Sequence, residues 1–112
     1  MDFASALQTV EGDQRLLAEL MHVFARNYPK RLAGIREAIA LGDDKRLKRA
    51  APGLRDEVGL FGAKRAYRLA ARLETIDCRA HAEDARRVLQ ELERELQRVV
   101  LCFDHADVQA SI

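Results

Sequence analysis

Histidine, cysteine and hydroxyl side chains are the groups that most often carry catalysis or bind metals, and here they are few and scattered. The histidines are His22, His81 and His105, and the hydroxyl residues are Ser5, Thr9, Thr75 and Ser111. No histidine has a cysteine, histidine or carboxylate at metal-ligand spacing on one helix face. No hydroxyl residue stands beside a histidine. We therefore expect no metal or other cofactor, no small-molecule substrate, and no enzyme of the nucleophile-and-base type.

The two cysteines are Cys78 and Cys102. The first lies in a predicted connector and the second near the far end of the predicted last helix. At about 1.5 Å of rise per residue, the helix between them separates them by roughly 30 Å. A disulfide needs a much closer approach. We expect two ordinary thiols, with Cys102 partly buried.

Positive charge is concentrated in the middle of the chain, although the formal net charge is only +1. Residues 45–72 contain nine basic and two acidic side chains, whereas residues 1–44 and 73–112 are both net acidic. Such a segment attracts acidic partners, or it is simply a solvated surface. It lacks a recognition-helix signature and interleaved aromatic residues, so nucleic-acid binding is disfavoured.

Length and composition favour one helical domain covering residues 1–112. A chain of 112 residues that is 48% hydrophobic and 33% charged is typical of a single globular core rich in helix formers. No stretch is long and apolar enough to span a bilayer, and Met1 is not followed by a signal segment. We therefore expect a cytoplasmic protein without membrane contact.

The hydrophobic periodicity predicts an all-α fold, an up-down antiparallel four-helix bundle with a short N-terminal helix. The short helix covers 2–10, and Gly12-Asp13 breaks the chain and caps the next helix. That helix runs to about 41, with Leu16 among its inward residues, and Pro29 either kinks or divides it. Further helices cover 44–60, 63–76 and a stretch from about 83 to 103. Residues 104–112 form a polar tail that we expect to fray.

The third main helix carries the most informative surface. Leu47, Ala51, Leu54 and Val58 share its inner side by helical spacing. Lys48, Pro52, Arg55 and Gly59 then form a ridge that we expect to face solvent. Since proline and glycine disfavour helix interiors by about 3 and 1 kcal/mol, Pro52-Gly53 should bend this helix or break it in two.

Around this ridge the sequence resembles the histidine-containing phosphotransfer (HPt) domain family of bacterial two-component relays. Those domains typically read Ala-His-x-Leu-Lys-Gly-(Ser or Ala), followed after a few residues by Gly-Ala. The matching positions are Ala51, Leu54, Arg55 (conservatively), Gly62 and Ala63. The likeness continues upstream through 11–13, Leu16, Leu17, Leu20, Phe24, Pro29 and 40–43, and downstream through 70–74. It covers nearly the whole chain and implies a helical bundle that acts in phosphorelay signalling.

The sequence departs from the family at the position that matters most for chemistry. Pro52 occupies the place of the phosphorylatable histidine, and its ring nitrogen is bound into the backbone, so no phosphoramidate can form. The family's small glycine is Asp56 here, followed by Glu57, and carboxylates one turn away repel a phosphoryl group. The resemblance therefore implies a degenerate, pseudo-phosphotransfer domain with no catalytic residue.

The resulting hypothesis is a protein-interaction module that docks a receiver domain or a sensor kinase around Pro52. The residues expected to bind the partner are Lys48, Arg49, Pro52, Arg55, Asp56, Gly59 and Arg68. Two alternatives remain open. The chain is a phosphotransfer protein that uses an unconventional histidine, or it is a purely structural C-terminal domain of a hybrid sensor kinase.

Overall fold

The computed structural model describes residues 2–110, with the side chains of residue 3 and of 104–110 left aside. This part of the chain forms five α-helices and contains no strand. They are α1 (Phe3–Thr9), α2 (Gln14–Leu41), α3 (Asp44–Leu60), α4 (Lys64–Thr75) and α5 (Ala82–Ala110). The all-α prediction is confirmed. The last helix extends beyond the predicted end at Phe103, and the predicted frayed tail, 104–112, lies outside the residues whose side chains are described.

Local capping groups set the helix boundaries. The Asp13 carboxylate accepts a hydrogen bond from the Leu16 N–H at 3.0 Å, and the Asp43 carboxylate accepts one from the Arg46 N–H at 3.1 Å. Gly42 ends α2 in the left-handed conformation, with φ at 65°, which glycine adopts without strain. Because these signals are contained within four or five residues, the sequence predicts the boundaries closely.

Helix α1 packs against α2, and the four longer helices form a closed ring of neighbours, α2–α3–α4–α5–α2. Their apolar stripes meet in one core. Phe24, Phe61 and Phe103 pack edge to face there, with ring centroids 4.8 to 5.9 Å apart. The described part of the chain buries no polar or charged residue. Leu16 was predicted to face inward but is 41% exposed, because it lies on the edge of α2 rather than on its core face.

Both prolines lie inside continuous helices, Pro29 in α2 and Pro52 in α3. Pro29 does not divide α2, and Pro52-Gly53 does not break α3. In α3, core residues on either side of Pro52 are fully buried, namely Leu47, Ala51, Leu54 and Val58. Burial of a whole side-chain stripe outweighs the loss of one backbone hydrogen bond, so tertiary packing holds α3 together.

Both cysteines are free thiols. Cys78 is fully buried in the connector between α4 and α5, and burial raises the pKa of its thiol above the ordinary value. Cys102 is exposed, so the prediction that it is partly buried was wrong. It lies on the outer side of α5, next to the buried Phe103.

Candidate functional site

The predicted ridge lies along the flank of α3 that faces α4, not on the side opposite the core. Pro52 and Arg55 are half-buried, and only Lys48 and Gly59 are exposed. Arg49 and Asp56, both exposed, lie further round α3 and point away from the core. The expectation of a solvent-facing ridge is therefore corrected. Neighbouring α4 covers part of this surface, which α3 viewed alone could not reveal.

Arg55 links α3 to α4. Its Nη1 donates to both carboxylate oxygens of Glu74, each at 2.8 Å, and its Nη2 lies 3.3 Å from Asp56. The hydrogen bond to Asp56 and then the charge of Glu74 raise the pKa of Arg55, so the guanidinium stays charged. Glu74 neutralises much of the charge that Arg55 was expected to offer a partner.

Lys48 links the start of α3 to the α4–α5 connector. Its Nζ lies 2.5 Å from Asp44 Oδ2 and 3.3 Å from the Ile76 carbonyl oxygen. Asp44 also accepts a hydrogen bond from the Cys78 N–H at 3.3 Å. The hydrogen bond from Lys48 is the largest cause that holds the pKa of Asp44 below its usual range. The charge of Lys48, like that of Arg55, is therefore already partly neutralised by acceptors within the molecule.

The opposite flank of α3 faces α2 through Gly53 and Glu57. Arg31 on α2 forms an ion pair with Glu57 Oε1 at 2.7 Å. Arg31 also lies over Gly53, where an added Cβ would stand only 2.4 Å from its Nη1. Glu57 Oε2 is buried and has no hydrogen-bond partner among the described residues. Gly53 thus leaves room for a cross-helix ion pair.

Arg49 and Arg68 are the predicted docking residues that keep an unneutralised charge. Arg49 is exposed on α3 and Arg68 on α4. Neither forms an ion pair with any residue in the described part of the chain. A partner would meet their full charge, whereas Lys48 and Arg55 must first leave their internal acceptors.

A cavity of about 590 Å³ opens where α3 meets α4 and α1. Its lining consists of Ser5, Gly59, Gly62, Ala63, Lys64, Tyr67 and Arg68. The Tyr67 ring lies against Gly59, where an added Cβ would stand 3.2 Å from the nearest ring carbon. Tyr67 and Lys64 were not among the predicted site residues. The repeat of Lys64, Arg68 and Arg72 at four-residue spacing was the signal that could have found this face.

Two histidines fall within the described side chains. His22 lies exposed on α2 and His81 lies exposed in the α4–α5 connector, so neither stands on α3. His105 lies outside the described side chains. Within the described residues, no group of three or more histidine, cysteine, aspartate or glutamate side chains is arranged to hold a metal ion.

No helix in the described range is long and apolar enough to cross a membrane.

A family model for the Hpt domain matches residues 19–101, which includes all of α3 and α4. The chain belongs to the Hpt domain family. Hpt domains are phosphotransfer modules that interact with receiver domains and kinases, so membership implies a role in two-component phosphorelay signalling. No curated protein and no solved structure shows a significant match to the chain.

Proposed function

We propose that this Hpt domain carries no phosphate and acts as a docking module for a receiver domain or a kinase. Pro52 carries this proposal, because it stands in α3 at the position where the family resemblance calls for the phosphorylatable histidine. Its nitrogen belongs to an amide, which has no lone pair available to attack a phosphoryl group. The protein then works by binding rather than by catalysis.

The surroundings of Pro52 support the loss of phosphate chemistry. Asp56 is one turn further along α3, with 72% of its side chain exposed. A carboxylate at this distance opposes the approach of a phosphoryl group. The positive groups that would stabilise a phosphate on this flank, Lys48 and Arg55, are engaged with Asp44 and Glu74.

The docking surface we propose comprises Lys48, Arg49, Pro52, Arg55, Asp56, Gly59 and Arg68. Receiver domains present an acidic phosphorylation pocket, and complementary charge steers association and fixes register. Arg49 and Arg68 supply the free positive charge. Gly59 is exposed on α3, and its lack of a side chain leaves room for the Tyr67 ring.

The chemical half of the proposal is tested with a phosphorylated receiver domain. We expect no acid-labile phosphate on this chain after mixing, and the same result for His22→Ala and His81→Ala. Pro52→His is the informative companion, because it restores the family residue on an otherwise unchanged surface. Acid-labile phosphate on the wild-type chain would overturn the proposal.

The docking half is tested by charge reversal at the free cations. In binding assays with receiver domains and kinases from the native cell, Arg49→Glu with Arg68→Glu should weaken binding about tenfold or more, and most strongly at low salt. Arg87→Glu with Arg94→Glu on α5 is the matched control, because both arginines are exposed and lack ion pairs within the described residues. Equal affinity of all three proteins would exclude this surface.

A further inference from the structure

Helix α4 carries three cations in a line, Lys64, Arg68 and Arg72, which we call the α4 stripe. Residues four apart on a helix are neighbours, with Cβ atoms about 5–6 Å apart, so like charges at this spacing repel one another. All three side chains are exposed. None forms an ion pair within the part of the chain that the structure describes. Hydrogen bonds from Ser5 and then the charge of Lys64 lower the pKa of Asp2, so a nearby carboxylate offsets part of the repulsion at the Lys64 end.

The rest of the basic segment is mostly neutralised. Arg46 pairs with Glu37, Lys48 with Asp44, Arg55 with Glu74 and Arg65 with Glu95. Lys45 and Arg49 on α3 also remain unpaired within the described residues. Three of the five unpaired cations of residues 45–72 therefore lie in one line on α4.

One end of the α4 stripe opens into the cavity beside Tyr67. Lys64 and Arg68 belong to its lining, together with Gly59 and Ser5. Tyr67 is 42% exposed, which leaves part of its ring uncovered next to the two cations. The volume, about 590 Å³, is enough for one large apolar side chain. An apolar recess and a row of cations thus lie side by side.

We propose that the α4 stripe and this cavity bind an acidic amphipathic helix of a partner protein. An aromatic or large aliphatic side chain of that helix enters the cavity against Tyr67. Carboxylates four residues apart on the helix share the spacing of Arg68 and Arg72 and pair with them. The inference rests on the proposed docking function, and it assigns the partner an acidic helix in addition to an acidic pocket.

The surrounding charges favour a protein partner over other acidic ligands. Asp56 and Glu74 both pair with Arg55 where α3 meets α4, and Glu95 on α5 pairs with Arg65. Asp2 lies near Lys64. These carboxylates oppose a ligand that carries negative charge over a wide surface, such as a polyphosphate backbone or a membrane, and so favour discrete carboxylates. On α5 of a second copy, the carboxylates at four-residue spacing are Glu91 and Glu95; both are half-buried, and Glu95 already pairs with Arg65 and Arg98.

The test uses the whole chain and a labelled helical peptide that carries one phenylalanine and glutamates at four-residue spacing. A scrambled peptide of the same composition, a single-stranded oligonucleotide and phosphatidylserine vesicles are the comparison probes. We expect the patterned peptide to bind about tenfold more tightly than the scrambled one and to weaken steeply with salt. Arg68→Glu with Arg72→Glu should lower its affinity about tenfold or more. The matched control, Arg87→Glu with Arg94→Glu, should leave it unchanged.

The role of the cavity is tested separately with Tyr67→Ala. Loss of the ring should weaken the patterned peptide without changing how its affinity depends on salt, because an apolar contact and not an ion pair is removed. Circular dichroism confirms that each variant remains helical. If Tyr67→Ala fails to fold, Gly59→Ala is the second variant, because its Cβ must displace the ring.

Several outcomes would overturn this inference: equal binding of the two peptides, tighter binding of the oligonucleotide or the vesicles, or full binding by the Arg68 and Arg72 variant. Failure of the proposed function has a different signature. Acid-labile phosphate on the wild-type chain would remove the proposed function and leave the peptide result intact. If receiver binding depends on Arg49 but not on Arg68, the docking proposal is supported and a binding role for the α4 stripe is excluded.

Discussion

At the scale of single residues, Pro52 carries both the chemical loss that we propose and a structural burden. The burden is the loss of one backbone N–H inside α3, which leaves the Lys48 carbonyl oxygen without a helical donor. The sequence alone predicts this burden, because it depends only on the residue type and its position in a helix. It does not show that α3 stays continuous, which depends on the buried residues around it.

The first prediction concerns this burden. Pro52→Ala should raise the free energy of unfolding by about 1–3 kcal/mol, because it restores the hydrogen bond and removes the ring clash. Urea denaturation followed by circular dichroism measures the change. Pro29→Ala, at the other proline inside a helix, is the companion variant and should also stabilise. A less stable Pro52→Ala protein would mean that the ring makes packing contacts worth more than the hydrogen bond.

The second prediction separates two glycines inside helices. Gly34→Ala should stabilise by about 0.5–1 kcal/mol, because nothing lies within 4 Å of the new methyl group. Gly53→Ala should gain less, since its methyl group must displace Arg31 from its place beside Glu57. Thermal unfolding of both variants gives the comparison. If the two variants gain equal stability, Arg31 can move aside without any cost in free energy.

At the scale of the helices, the sequence predicts boundaries well and relative orientation poorly. The caps at Asp13, Gly42 and Asp43 are local signals, and the helices begin and end where those residues predict. The orientation of the ridge on α3 is different in kind. It depends on Arg55 meeting Glu74, nineteen residues away on another helix, and helical periodicity carries no information about such a pair.

The third prediction tests this link between α3 and α4. Arg55→Ala should lower the free energy of unfolding by about 1 kcal/mol, because it leaves the mostly buried Glu74 without its charged donor. Arg98→Ala is the matched control. Arg98 pairs with Glu95 but is 71% exposed, so its loss should change stability by less than about 0.5 kcal/mol. Equal effects of the two substitutions in urea titrations would contradict the prediction.

The fourth prediction concerns the start of α3 and its dependence on pH. The folded pKa of Asp44 is lowered below its unfolded value, chiefly by Lys48, so ionised Asp44 favours the folded state. This contribution is complete above the unfolded pKa, near 3.9, and disappears as the pH falls through the lower, folded value. In the Asp44→Asn variant, the free energy of unfolding should therefore fall less steeply than in the wild-type protein as the pH drops from about 5 to about 2. Unfolding midpoints at several pH values measure it, and an unchanged slope would exclude this role.

At the scale of the whole molecule, the sequence predicts which residues form the single core but not which surface charges the packed helices neutralise. Periodicity identified nearly all of the buried stripes, with Leu16 as the exception, because apolar spacing is a direct record of burial. The sequence did not predict which cations remain without an ion-pair partner. Which cations are neutralised depends on contacts between helices, so the sequence predicted a basic segment but not the α4 stripe within it.

The fifth prediction uses the different burial of the two cysteines. Under native conditions Cys102 should react with a thiol reagent at once, whereas Cys78 should react only as the bundle opens, because it is fully buried and its pKa is raised. Cys102→Ser leaves a single thiol whose reaction rate isolates Cys78. Two equally fast thiols in the wild-type protein would contradict the described packing.

The fastening of the α4–α5 connector to α3 has a practical consequence. Lys48 contacts the Ile76 carbonyl oxygen, and Asp44 accepts from the Cys78 N–H, so the buried thiol lies directly behind the residues that a partner would draw outward. If a ligand draws Lys48 away from these partners, we expect Cys78 to become more reactive, whereas a ligand that binds only α4 should leave Cys78 protected. The reaction rate of the single thiol in the Cys102→Ser protein, measured with and without the ligand, distinguishes the two cases.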